Sequence, residues 1–214
     1  MKTLRFRVGE TPLEVHASIL LLFGCLFYQG WNLNLPAWQI TTACLILLGS
    51  VVVHELAHVV AFESTLGVPS RVWIFALGGV TIPTQRPWRD SWWRMALVAL
   101  AGPASNFLLV LLCVGLMACS ADRVTFDLAL TGLIINLSLG VFNLIPSRPF
   151  DGGLALAALL EWILGPSRLT DFFLATLGVV CGLCLVAGAL YLRDPFLALG
   201  GLVAIYANTP LSRF

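Results

Sequence analysis

The chain has 214 residues, of which 59% are hydrophobic and only 11% charged, and its net charge is +1. A water-soluble domain carries about 25% charged residues, so this chain lacks the polar surface to live in water and belongs in lipid. The near-zero charge leaves no basic footprint for nucleic acid, which is not expected as a partner.

Residues 1–15 alternate apolar and polar side chains (Leu4, Phe6 and Val8 between Lys2, Arg5 and Arg7), as a short strand or a segment lying on the membrane surface does. Glu10 and Glu14 interrupt the approach to the first apolar run, so no cleavable signal peptide is expected. A spanning helix needs about 20 mostly apolar residues. Six segments qualify or come close: 16–35, 37–66, 92–119, 124–145, 169–192 and, shorter and Gly-rich, 195–207. Between the fourth and fifth, 152–164 reads as a short helix capped by Asp151 and stopped by Gly165-Pro166. The six cysteines lie in or beside apolar runs as packing residues, without the spacing of a zinc knuckle or a disulfide framework. The expected fold class is an all-α polytopic membrane protein with about six transmembrane helices, forming a single integral membrane domain over 1–214.

Orientation follows from the basic residues. With the N-terminus inside, Lys2, Arg5, Arg7, Arg71, Arg86, Arg89, Arg94, Arg148, Arg168 and Arg213 fall on the cytoplasmic side, and only Arg123 and Arg193 fall outside. Both termini are then cytoplasmic. Such a compact chain fits a prokaryotic plasma membrane.

Segment 71–83 is apolar, too short to span, and β-branched or aromatic on both sides of Gly78-Gly79. It reads as a short membrane-associated β-hairpin with its tight turn at those glycines. Non-helical backbone at membrane depth must be buried in protein or line a cavity. The other reading is a cytoplasmic loop on the membrane surface.

Inside the second apolar run stands His54-Glu55-Leu56-Ala57-His58. Residues four apart share a helix face, so both imidazoles can reach one metal ion, and Glu55 beside them is placed to take a proton from a water held there. Ionisable side chains at bilayer depth cost about 2.5–3.5 kcal/mol each on insertion scales. Three in five residues need compensation, which a metal supplies.

A catalytic zinc site takes three protein ligands and leaves one position open. His16, the one other histidine, lies near the start of the first run and reads as an interfacial or hydrogen-bonded residue. Ala61 and Ser64 stand where the extended HExxHxxGxxH pattern needs Gly and His, and no glutamate follows about twenty residues on. Glu63 is too close along the helix to swing back. Asp90, Asp122, Asp127, Asp171 and Asp194 lie near interfaces, where a solvated charge needs no explanation. Asp151 differs: it closes Asn143-Leu144-Ile145-Pro146-Ser147-Arg148-Pro149-Phe150-Asp151-Gly152-Gly153, two prolines breaking one helix and Asp-Gly-Gly opening the next. It reads equally as a metal ligand and as an N-cap; the lack of other ligands favours the first.

HELAH on a transmembrane helix with NLIPSRPFDGG about ninety residues later resembles the site-2 protease family of intramembrane zinc metalloproteases. Leu77-Gly78-Gly79 and Ala101-Gly102-Pro103-Ala104-Ser105-Asn106 match in order as well. The resemblance implies one Zn2+ held by His54, His58 and Asp151, with Glu55 as general base. It also implies a substrate segment unwinding along the edge of the Gly78-Gly79 hairpin, since strand addition replaces a helix's own hydrogen bonds. Asn106 and Asn143 are amides in or near the site; Asn143 reads as an oxyanion or substrate contact, and interhelical hydrogen bonding is the alternative for both. The expected reaction is hydrolysis of peptide bonds in or near transmembrane segments, as in regulated intramembrane proteolysis. With no PDZ or CBS module in view, substrate choice falls to the membrane core, the hairpin or a separate regulatory membrane protein.

Three rivals stand beside this reading. A metal transporter would need further ligands along a path, and no histidine follows His58. A prenyl-protein protease would need the absent downstream glutamate. A catalytically dead scaffold would not need Glu55.

Overall fold

The computed structural model describes residues 3–76, 78–85 and 92–209. Lys2, Leu77, Arg86, Arg89, Asp90 and Arg213, named above, lie outside them. Two compact units are distinguished: Met1–Pro87 with Ala101–Gly140, and Trp88–Leu100 with Val141–Phe214.

The first unit opens with two strands, β1 (Thr3–Val8) and β2 (Thr11–His16), followed by helices α1 (Ile19–Asn32) and α2 (Ala37–Leu66). Strands β3 (Ser70–Phe75) and β4 (Gly78–Pro83) come next. The strands form one sheet in the order β1-β2-β3-β4. β1–β2 and β3–β4 are antiparallel pairs, and β2–β3 is parallel, with Leu13 opposite Val72 and Val15 opposite Ile74. The expected hairpin is therefore half of a larger sheet. Its glycines also differ from expectation: Gly78 pairs with Phe75 and Gly79 with Ile74, so both belong to β4 and not to a turn between the strands.

Alternation places Ser70, Val72 and Ile74 of β3 inward and Arg71 and Trp73 outward. Val72 and Ile74 join Leu13 and Val59 in the core of this unit, lined further by Val15, Ile19, Leu48, Val51 and Val52. His16 is settled locally. Its Nδ1 stands 2.8 Å from Ser18 Oγ, which also accepts the Ala76 N–H at 3.1 Å, so it ties the end of β2 to the end of β3.

α2 has 30 residues, about 45 Å at 1.5 Å per residue, and exceeds a hydrocarbon core of about 30 Å. It stops where Gly67 turns left-handed (φ 63°), its N–H and that of Val68 closing on the carbonyls of Glu63 and Phe62. Its buried stripe runs from Ile40 and Cys44 through Ser50 to His54, His58 and Phe62, in steps of four apart from the six between Cys44 and Ser50. The stripe begins apolar and turns polar at Ser50, His54, Glu55 and His58, which makes the C-terminal half of α2 the candidate site.

Helix α3 (Trp92–Cys119) and helix α4 (Arg123–Asn143) each run from one unit into the other. The second unit continues through α5 (Asp151–Leu164), α6 (Arg168–Leu192) and α7 (Pro195–Asn208). α6 and α7 approach closely because Gly182 and Gly201 face each other: a Cβ on either would strike the other's carbonyl. Ser167 caps α6 by accepting the Thr170 N–H, and Asp194 caps α7 by accepting those of Phe196 and Leu197.

Among the described residues, four helices (α2, α3, α4 and α6) are long and apolar enough to cross a membrane. α1 and α7, expected as spans, have 14 residues each, roughly 21 Å of helix. The expected count of about six is therefore not confirmed. In the first run the chain spends its opening residues on β2 and on the turn that carries Ser18, which shortens the helix.

Candidate metal centre and its supporting shell

The helical spacing of His54, Glu55 and His58 aims all three side chains into the protein, each about 5–6% exposed. The two imidazole Nε2 atoms stand 3.2 Å apart, with their rings edge to face. Two nitrogens bound tetrahedrally at about 2.05 Å from one ion stand roughly 3.3 Å apart. The pair therefore has the separation a shared metal requires, and neutral imidazole nitrogens suit zinc.

A relay of amides sets the tautomer of His54. Asn136 Nδ2 donates to the Gly132 carbonyl at 2.9 Å, a group that can only accept. Asn136 Oδ1 must then face the other way, where it accepts from Asn106 Nδ2 at 2.9 Å. Asn106 Oδ1 is left to accept from His54 Nδ1–H at 2.6 Å. With its proton on Nδ1, His54 presents a lone pair at Nε2, the atom facing His58. Asn106 has no exposed surface, so it acts behind the histidine. Replacing it with leucine is expected to lower zinc affinity about 10–100-fold, the usual cost of losing a partner behind a ligand; a competition titration against a chelator reads this.

Gly102 in α3 explains why backbone can reach the histidines. A Cβ there would fall on the Nε2 atoms of both His54 and His58. Pro103 follows within the helix, and Ser105 Oγ donates to the Gly102 carbonyl at 2.7 Å, holding the turn.

Glu55 is held by the sheet. Thr81 Oγ1 lies 2.7 Å from Glu55 Oε2 and 3.1 Å from its carbonyl, so one hydroxyl proton is shared between the two, the carboxylate being nearer. Two residues earlier on the same face of β4, a Cβ at Gly79 would overlap the Glu55 carboxylate. The glycine thus serves close approach and not a turn. β4 pairs with β3 alone, so its other side is a strand edge among the described residues. Thr81→Val is expected to lower turnover roughly tenfold while zinc content stays unchanged, because a hydrogen bond to a charged group is lost. Thr81→Ser should restore it.

Asp151 is carried by the second unit. After α4 the chain folds on itself, the Ser147 N–H donating to Ile145 and the Phe150 N–H to Ser147. The Arg148–Pro149 peptide is cis. Phe150 occupies the N-cap in extended conformation, and Asp151 is the first residue of α5. This corrects the expected cap: the capping position belongs to a side chain that cannot accept a hydrogen bond. Gly152 and Gly153 press the first turn of α5 onto the preceding loop, since a Cβ on either would strike the backbone of Leu144 or of Ser147 and Arg148. Asn143 is the last residue of α4.

Thr81, Gly102 and Asn136 escaped the sequence reading as functional residues. Asn136 carried a signal, an amide in the middle of an apolar helix. Thr81 becomes legible only once Gly79 is placed on a strand, two residues away on the same face.

The chain is similar to several known zinc metalloproteases. The sequence model of Peptidase family M50 matches residues 118–187, the stretch that includes Asp151. Zinc metalloprotease MJ0392 of Methanocaldococcus jannaschii is 27% identical across 73% of this chain and 44% of its own length. Rip3 of Mycobacterium tuberculosis, whose name assigns it to the zinc metalloproteases, is 34% identical across 85% of this chain and 49% of its own length. The chain thus spans slightly under half the length of these two relatives. The solved structure of a site-2 protease from Methanocaldococcus jannaschii superposes with a TM-score of 0.69 at 23% identity, covering 100% of this chain and 96% of that one. That likeness is one of fold.

Proposed function

We propose that this chain is a zinc endopeptidase of the peptidase M50 (site-2 protease) kind, cutting peptide bonds in or near the transmembrane segments of other membrane proteins, a reading supported by its similarity to that family's sequence model and to zinc metalloproteases. His54, His58 and Asp151 hold the ion, two imidazoles and one carboxylate leaving a position open. The observation that carries the reading is the paired Nε2 atoms at 3.2 Å, with the Glu55 carboxylate fixed beside them.

When bound, zinc supplies a Lewis acid and brings the pKa of a coordinated water towards about 7. Glu55 takes a proton from the attacking water and returns it to the leaving amine. Thr81 holds the carboxylate in place for both transfers. Asn106 keeps His54 in the tautomer that binds metal. The substrate segment unwinds and adds as a strand along β4, where Gly78 and Gly79 leave the backbone open and bring it past Glu55. Asn143 contacts the substrate carbonyl.

Residues 1–214 make one integral membrane protease domain. The site and both termini face the cytoplasm of a prokaryotic cell, an orientation supported by the ten-to-two distribution of Lys and Arg. The role is regulated intramembrane proteolysis, with a separate membrane protein choosing substrate or timing.

The test is cleavage of a panel of transmembrane peptides by the purified protein in detergent, read by mass spectrometry. Cleavage lost on chelation and regained with zinc is the expected result. No cleavage from protein that binds no zinc would overturn the proposal.

A further inference from the structure

The last helix is tied to the loop that bears Asp151 by one side chain. Asn208, in the last turn of α7, points its amide nitrogen at three acceptors: the Ala204 carbonyl of its own helix at 2.7 Å, the Arg148 carbonyl at 2.8 Å and Ser147 Oγ at 3.1 Å. An amide nitrogen has two protons. One serves Ala204, and the other is directed at Arg148 and shared with Ser147. Ser147, only 1% exposed, lies 3.1 Å from the Arg148 carbonyl and 3.2 Å from the Gly178 carbonyl, so its hydroxyl proton is shared between its own loop and α6. Gly178 is a glycine for the same reason: a Cβ there would occupy the place of the Asn208 amide.

The other side of the loop is equally constrained. Gly153 packs without a side chain on the backbone of Ser147 and Arg148, and Gly152 on that of Leu144. Asp151 immediately precedes these glycines, at the first position of α5. Asn208 is therefore connected to the Asp151 backbone through the Arg148 carbonyl and the close approach of Gly153.

We infer that Asn208 is a positioning residue for the metal: by bonding Arg148 and Ser147 it makes the placement of the Asp151 carboxylate depend on how α6 and α7 pack. The inference rests on the reading of Asp151 as a ligand. It gives α6 and α7 a role in metal binding although neither carries a ligand. A helix pair that shifts to admit substrate would then loosen or reshape the metal site in the same movement.

The experiment uses the full chain in detergent and compares wild type, Asn208→Leu, Ser147→Ala and Asp151→Asn. Zinc affinity is measured by chelator competition, and coordination by the visible absorption of the cobalt(II)-loaded protein, which general destabilisation would not shift. Asn208→Leu is expected to weaken zinc about 10–100-fold and to change the cobalt spectrum. Ser147→Ala should move both in the same direction by less, and it decides alone if Asn208→Leu does not fold. Wild-type affinity and spectrum in the folded variants, with Asp151→Asn weakened, would overturn the positioning role and leave the ligand assignment standing. Wild-type affinity in Asp151→Asn would overturn the ligand assignment and this inference with it.

Discussion

Gly102→Ala is expected to leave a folded protein that binds no zinc and cleaves nothing. The added methyl group would sit on the Nε2 atoms of His54 and His58, the two nitrogens whose separation fits a shared ion. To accept it, the histidines must rotate away or α3 must withdraw. Rotation of His54 breaks its bond to Asn106 and the relay behind it. Overpacking of this kind costs about 1–3 kcal/mol, which lowers the melting temperature without unfolding the chain. The loss of metal should exceed the roughly 10–100-fold that a missing partner behind a ligand costs, because the ligand atoms themselves are displaced. Zinc per chain by elemental analysis, beside a thermal unfolding curve, checks it. A full complement of zinc in Gly102→Ala would mean that the histidines do not meet the ion through Nε2.

Glu55→Gln separates proton transfer from metal binding. The amide has nearly the same shape and keeps an oxygen for Thr81 to donate to, so the contact that places it survives. It cannot take a proton from water at neutral pH. General base catalysis contributes about 10²–10⁴ in rate, and turnover on any cleavable transmembrane peptide should fall by that factor or more, with zinc unchanged. Turnover comparable to wild type would remove Glu55 from the chemistry and leave the His54–His58 pair as a metal site of another kind.

The spacing of His54, Glu55 and His58 was legible because helical periodicity is local: residues four apart share a face wherever the helix lies. α2 and α3 begin and end where their apolar runs do, because run length decides what can cross a bilayer. The Asp-Gly-Gly start of α5 was visible as a break, though Phe150 and not Asp151 proved to hold the cap. Composition also showed that segment 71–83 is extended, but it misplaced the turn: glycine signals a tight turn and a close approach alike, and Gly79 serves the second.

By itself, then, the sequence determined the membrane setting, the candidate metal-binding helix face and the resemblance to the site-2 proteases. Tertiary structure alone decided what holds that face in working order. The parallel pairing of Leu13 with Val72 makes one sheet of two hairpins, and Thr81 reaches Glu55 across 26 residues. Asn106, Asn136 and Gly132 form a single relay, and Asn208 reaches Arg148 across 60 residues. Apart from the Asn136–Gly132 bond inside α4, each of these joins elements distant in sequence. An amide or hydroxyl at membrane depth shows that a partner must exist, but only packing selects which group is near enough to be that partner.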